Sequence, residues 1–387
     1  MSAARPTILI WVTHVLGIGH YRRALALARA CAQAGLAPVI ASGGMPVPGG
    51  VPDGVTLAQL PPIRSAGRSF VDLVGAGGEP ADEALFAARG RELVALHDRH
   101  RPRAVVTELF PFGRRRFAGE LDRLVAHARS QSHIPAILCS VRDILQPPSK
   151  PSRIPDIERR VRTAYDRILV HGDPALVRLE QSLPFAAGFA DLIDYTGYIG
   201  GGETPAPPPG EGDGEVIVSA GGGAVGEHLL NAAIEARPLS AARDRPWRLL
   251  VGHNLPGRER ERLSARAGNG VIVEPARPDF PGLLARARLS VSQAGYNTST
   301  DILGARVPAV LVPFADDGEI EQTMRAELFE ARGLAIALPP DRLAPQSLAD
   351  AVDRALALDP GAAARPGLDG AAQSARLIAD AIARIEA

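Results

Sequence analysis

Short apolar, β-type runs alternate with amphipathic helical runs over nearly the whole 387-residue chain, and that alternation limits it to a parallel α/β architecture. "TILIWVTH" leads into the helical stretch "HYRRALALARACAQAG" and then the strand "APVIAS". "PRAVVTELF" precedes a helix around "RRFAGELDRLVAHARS", and "IPAILCSV" and "DRILVHG" read as further buried strands. At 200–214 the texture becomes "GGGETPAPPPGEGDG", a Pro/Gly-rich stretch with nothing to anchor a core, so it reads as an interdomain linker. The pattern then restarts with "EVIVSAGGG", "PWRLLVGHN", "GVIVEPA", "LSVSQAG", "PAVLVPF" and "LAIALP", each but the last followed by a helix. The expected organisation is an α/β domain over 1–200, a linker over 201–214, a second doubly wound domain over 215–365, and an alanine-rich helix over 366–387 expected to fold back across the interface.

Composition narrows the function classes. Hydrophobic content of 46% with 22% charged residues is that of a globular chain. A formal net charge of zero supplies no global field for a polyanion, so nucleic acid is not expected as a partner. Cys31 and Cys139 both lie in apolar runs and read as buried structural thiols of a reducing compartment. No stretch reaches the roughly 20 apolar residues of a membrane helix, and the opening "MSAARPTILIWV" runs straight into a strand rather than a signal peptide. The expected place is the cytoplasm or the inner face of the membrane, with at most peripheral membrane contact.

Ligands of doubly wound sheets bind beyond the carboxyl ends of the strands, so the residues that matter should follow each strand. "THVLGIGHYRR" puts Gly17 and Gly19 before a helix that starts near His20, where free amides favour an anion. It is not a dinucleotide fingerprint: Arg22 stands in the third-glycine position, and "APVIASGG" ends without the acidic residue that would hold a ribose. The bland alternative is an ordinary strand–helix turn. Ser219, Gly221, Gly222, Gly223 and Gly226 make an equivalent turn in the second half, without the lysine of a phosphate-binding P-loop.

"SQAGYNTSTD" offers Gln293, Asn297, Thr298, Ser299 and Thr300 around a turn at Gly295, with Asp301 expected in the first helical turn. Glu321, Gln322 and Arg325 follow the next strand and converge on the same place. In the first half, Glu108 follows "RAVVT" and should sit at the rim; Arg114, Arg115 and Arg116 come next, either a solvated helix start or a clamp on a phosphate. Arg142 and Asp143 form a similar pair after "AILCSV". No metal site is expected: the nine histidines are scattered, no H-x-x-x-H or C-x-x-C occurs, and Asp316–Asp317 lacks D-x-D spacing.

From about Val216 to Leu338 these residues resemble the family 28 glycosyltransferases of the GT-B fold. The family's "S-x-A-G" turn and the acid that grips the ribose of a UDP-sugar match Ser292, Ala294, Gly295 and Asp301. Its "P-F" and following polar pair match Pro313, Phe314, Glu321 and Gln322; the pair is usually two glutamines, so the departure at Glu321 falls on the residues that read the sugar. The Gly17–His20 loop resembles the family's N-terminal glycine–histidine loop, and Thr107–Leu121 resembles uncharacterised members near the family. The resemblance implies two Rossmann-like domains facing across a cleft and a hexosyl or N-acetylhexosaminyl transfer from a UDP-sugar to an acceptor hydroxyl, without metal or other cofactor. It implies His20 as base with Glu108 and Asp143 in reserve. Donor contacts would come from Ser219, the following glycines, Gln293, Gly295, Asn297, Thr298, Asp301, Glu321 and Gln322. Gly17, Gly19, Arg114, Arg115 and Arg142 would face diphosphate or acceptor, the acceptor being a small molecule, a glycan or lipid-linked. A nucleotide-sugar hydrolase, an epimerase and a non-catalytic sugar-nucleotide binder are the alternatives on the same scaffold.

Overall fold

The computed structural model describes residues 5–67, 72–200, 205–220, 226–252, 255, 257–315, 318–361 and 366–386. The chain divides into two compact units, Met1–Ile199 with Asp369–Ala387, and Gly200–Leu368. In the first, strands β1 (Thr7–Val12), β2 (Ala37–Ser42) and β3 (Thr56–Gln59) are followed by a small antiparallel pair, β4 (Arg64–Ser65) and β5 (Leu73–Val74), and by β6 (Ala104–Glu108), β7 (Ala136–Arg142), β8 (Arg167–His171) and β9 (Ile193–Tyr195). Seven of these form a parallel sheet in the order β3-β2-β1-β6-β7-β8-β9. The helices of this stretch are α1 (Gly19–Gln33), α2 (Glu83–His100), α3 (Ala118–Arg129), α4 (Ile154–Ala164) and the single turn α5 (Leu179–Ser182).

Both faces of this sheet are covered, which is why its strands read as unbroken apolar runs rather than alternating ones. Along β1, Leu9 and Trp11 join the core that includes Leu93 and Leu96 of α2 and Leu121 and Leu124 of α3. Ile8, Ile10 and Val12 point the other way, into a core with Tyr21, Ala24, Leu27, Ala28 and Cys31 of α1. That helical spacing of apolar residues fixes which stripe of α1 faces the sheet. Cys31 and Cys139 are both free and buried, as their apolar contexts led one to expect. On the α2–α3 side, fully buried Arg89 donates to both Glu120 oxygens (2.7 and 2.8 Å) and to the carbonyls of Gly43 (2.9 Å) and Pro61 (2.6 Å). One guanidinium thereby satisfies the loops that leave β2 and β3.

The second unit carries β10 (Val216–Ser219), β11 (Trp247–Val251), β12 (Val271–Pro275), β13 (Leu289–Ser292), β14 (Ala309–Leu311) and β15 (Ile336–Ala337), parallel in the order β12-β11-β10-β13-β14-β15. Helices α6 (Glu227–Ala236), α7 (Gly257–Arg266), α8 (Phe280–Arg286), α9 (Tyr296–Ala305), α10 (Glu321–Ala331) and α11 (Pro345–Leu356) connect and follow the strands. The final helix, α12 (Gly370–Glu386), belongs to the first unit, where Ala375, Ile378 and Ile382 share the core of α1.

The segment read as a linker is not bare. From Pro207 onward it is fastened to the second unit: Pro207 is buried, and Gly282 leaves room for its ring, where a Cβ would overlap. Arg286 Nη1 donates to Pro208 O at 3.0 Å, and Glu211 pairs with Arg277. Proline rings and a carboxylate supply the anchorage that the absence of aliphatic residues concealed.

In each sheet the strand order turns at a central pair, β1 beside β6 and β10 beside β13. Such switch points are where a crevice opens beyond the strand ends.

Candidate functional site

His20 and Glu108 meet at the first of these points. His20 is the second residue of α1, and Glu108 is the last residue of β6, 2% exposed. His20 Nδ1 lies 2.9 Å from Glu108 Oε1, and Arg23, one helical turn on, donates to the same oxygen. Arg23 Nη2 also lies 3.0 Å from His20 Nδ1, but its proton goes to the Glu108 carboxylate, the stronger acceptor. The carboxylate only accepts, so Nδ1 carries the imidazole proton and Nε2 presents its lone pair. The His20 side chain retains 17% exposure. Burial first, then the positive charge of Arg114, push its pKa down to about 3, against the opposing hydrogen bond to Glu108. The ring is therefore neutral at physiological pH. For Glu108, burial acts upward, but Arg23 and the bond from His20 overcome it and hold the carboxyl well below the ordinary carboxylate range.

Behind this pair runs a polar chain that sequence reading missed. Ser140 Oγ donates to Glu108 Oε2 at 2.6 Å and lies 2.8 Å from Nε2 of His171, whose Nδ1 is 3.0 Å from Thr196 Oγ1. With the Ser140 proton given to the carboxylate, His171 Nε2–H is the donor to Ser140. Burial, with Arg23 adding, lowers the His171 pKa to about 3. Ser140 lies near the end of β7 and His171 closes β8, so the strand-end rule applied to every strand would have found them.

The remaining first-domain candidates separate. Arg114, at a left-handed φ of 59°, sits close enough to Glu108 and Arg142 to feel both charges; burial lowers its pKa to about 10. Arg115 and Arg116 turn away. They line a cavity of about 660 Å³ with Asp82, Glu83 and Phe86 at the starts of α2 and α3, and Arg116 lies over the Phe86 ring. Asp143 is wholly buried, takes hydrogen bonds from Tyr198 OH (3.0 Å) and the Ile144 amide (2.9 Å), and so ties the end of β7 to the Tyr198 segment. Its expected role as a reserve base is not supported, because it has no exposed oxygen to offer. Gly17 has φ outside the left-handed region and, among the described residues, nothing within 4 Å of an added Cβ, and α1 begins at Gly19 with no side-chain cap on its amides.

At the second switch point, Ser219 and Ser292 are register partners at the ends of β10 and β13. The expected contacts Gly221, Gly222 and Gly223 lie outside the described residues, as does Asp316–Asp317. Gln293, Gly295, Asn297 and Thr298 are half-buried around the start of α9, which has no side-chain cap. Gly295 takes φ −63°, ψ 148°, open to any residue, with nothing near an added Cβ among the described residues; the sharp glycine turn expected there is absent. Since α9 starts at Tyr296, Asp301 is its sixth residue and half-buried, in the second turn rather than the first. Glu321 is buried and paired with Arg325 Nη2 at 2.9 Å, and Arg325 Nη1 donates to Ala294 O at 2.7 Å. Gln322 Oε1 accepts the Phe314 amide at 3.1 Å. The polar pair thus fixes the turns after β13 and β14.

The chain is similar to known glycosyltransferases. Residues 217–380 match the glycosyltransferase family 28 C-terminal domain. The UDP-N-acetylglucosamine--N-acetylmuramyl-(pentapeptide) pyrophosphoryl-undecaprenol N-acetylglucosamine transferase of Syntrophotalea carbinolica is 30% identical over 151 residues, 38% of this chain and 41% of that protein. An uncharacterized glycosyltransferase of Methanopyrus kandleri is 26% identical over 142 residues, 36% of this chain and 38% of that protein. The chain therefore spans less than half the length of these curated relatives. Among solved structures, MurG of Acinetobacter baumannii aligns over 98% of this chain and 99% of its own, with a TM-score of 0.58 at 14% identity. That likeness establishes the fold, GT-B.

Proposed function

We propose, on the match of residues 217–380 to the glycosyltransferase family 28 C-terminal domain, that the chain transfers a hexosyl or N-acetylhexosaminyl group from a UDP-sugar to an acceptor hydroxyl. The observation that carries the reading is the hydrogen bond from His20 Nδ1 to buried Glu108, which turns the Nε2 lone pair outward from a neutral ring. In the transfer, Nε2 takes the acceptor proton while the acceptor oxygen bonds to the anomeric carbon and the nucleoside diphosphate leaves with the electron pair of the broken bond. Glu108, held by Arg23 and Ser140, stabilises the imidazolium that forms. Within the second unit, the uncapped start of α9 offers amide donors to the diphosphate, and Asp301 accepts from the ribose diol. Gly295 suits close approach of that ligand, since its own backbone does not require a glycine and no described residue meets an added Cβ there. Transfer proceeds without a divalent ion. Incubating the protein with a panel of radiolabelled UDP-sugars and candidate acceptors, with and without magnesium or manganese, tests the proposal. Labelled glycoside formed equally in both conditions supports it; release of free sugar, or recovery of an epimer, assigns the site to one of the other chemistries.

A further inference from the structure

The histidines that looked scattered in sequence are not scattered in space. His97 and Asp98 lie in the last turn of α2, and His127 lies in the last turn of α3. One ligand atom from each of these three residues falls within 4.8 Å of the others. His97 Nδ1 is 3.6 Å from Asp98 Oδ1, His127 Nε2 is 2.6 Å from the same oxygen, and the two rings meet edge to face with centroids 5.1 Å apart. His97 is only 4% exposed, yet neither of its ring nitrogens has a hydrogen-bond partner. A buried imidazole left so is costly and calls for a partner of some kind. Nε2 of His133, in the segment leading to β7, is buried and unpartnered as well.

We propose that His97, Asp98 and His127 bind a divalent transition metal of the zinc class. Two imidazoles and a carboxylate are a ligand set this ion accepts, with a fourth position for water or His133. Both helices direct their carbonyl ends to the site, which favours a cation. Tetrahedral ligands about 2.0–2.1 Å from zinc stand roughly 3.3 Å apart, so the His97–Asp98 spacing needs little change. The His127–Asp98 contact must open by less than an ångström. In doing so the metal replaces the proton those two groups share, and the Gln131 amide, 3.3 Å from His127 Nε2, must turn aside. The chain runs from this cluster through Arg101 into the start of β6, whereas Glu108 ends that strand. The metal therefore sits toward the amino-terminal ends of the strands, away from the carboxyl ends where His20 meets Glu108, and there it ties α2 to α3 and takes no part in the transfer.

The test uses the full chain, stripped with a chelator and then titrated calorimetrically with Zn²⁺, and separately with Co²⁺ to read the visible bands of a tetrahedral site. One equivalent per chain is expected, with a higher melting temperature on binding. Asp98→Asn and His127→Gln change part-exposed groups and should fold, as circular dichroism will verify; each should weaken binding by about tenfold or more. Absence of saturable binding to the wild type, or binding unchanged in both variants, overturns the proposal.

Discussion

Lowering the pH from 7 to 5 should unfold the first domain far more readily while sparing the catalytic form of His20. An ordinary histidine titrates at about 6.5, but burial takes both His20 and His171 down to about 3 in the folded protein. The unfolded state thus binds protons that the folded state refuses. Stability from these groups is fully present above the unfolded pKa of about 6.5 and is lost as pH falls toward the folded value. At pH 5 each costs roughly 2 kcal/mol, so the pair costs about 4 kcal/mol, a large part of a typical domain's stability. For a domain of roughly 200 residues that is a drop of about 10 °C. Glu108 does not confuse the window, because its folded pKa is lowered and its unfolded value lies below 5. Activity per folded molecule should behave oppositely. A base with pKa about 6.5 would be only about 3% unprotonated at pH 5 and would lose roughly thirtyfold in kcat/KM; His20 stays neutral and kcat/KM stays flat. Scanning calorimetry at pH 7, 6 and 5 on the wild type, His20→Gln and His171→Gln reads the first effect. The reasoning is refuted if the first-domain transition does not move, if it moves equally in the two variants and the wild type, or if kcat/KM falls along the curve of an ordinary histidine.

Three further outcomes follow from individual side chains. His20→Ala should lower turnover by about 10²–10⁴-fold with little change in donor affinity; parallel loss of UDP binding in calorimetric titration would make His20 a diphosphate contact instead. Asp301→Ala should weaken UDP binding about 10- to 150-fold, the worth of roughly 1.5–3 kcal/mol for hydrogen bonds to a charged group, and an unchanged dissociation constant removes Asp301 from the site. Glu321→Ala removes the carboxylate paired with fully buried Arg325 and should cost about 3–5 kcal/mol of second-domain stability; chemical denaturation showing less than 1 kcal/mol would mean that the other contacts of Arg325, the Ala294 carbonyl among them, suffice.

The α/β class, the restart after residue 214 and the strand ends as the places to search were legible in the chain, because apolar periodicity reports which faces a segment must bury. The sequence also singled out His20 and Glu108, each from its position after a strand. Only the tertiary structure paired them, through parallel β1 and β6, which are adjacent in the sheet though separated by almost a hundred residues. The same packing buried Asp143, occupied Glu321 with Arg325, moved Asp301 into the second turn of its helix, and brought His97 and Asp98 against His127. Periodicity along one segment records which face is buried. The partner waiting across the gap is set by sheet order and helix packing, and these join residues far apart in the chain.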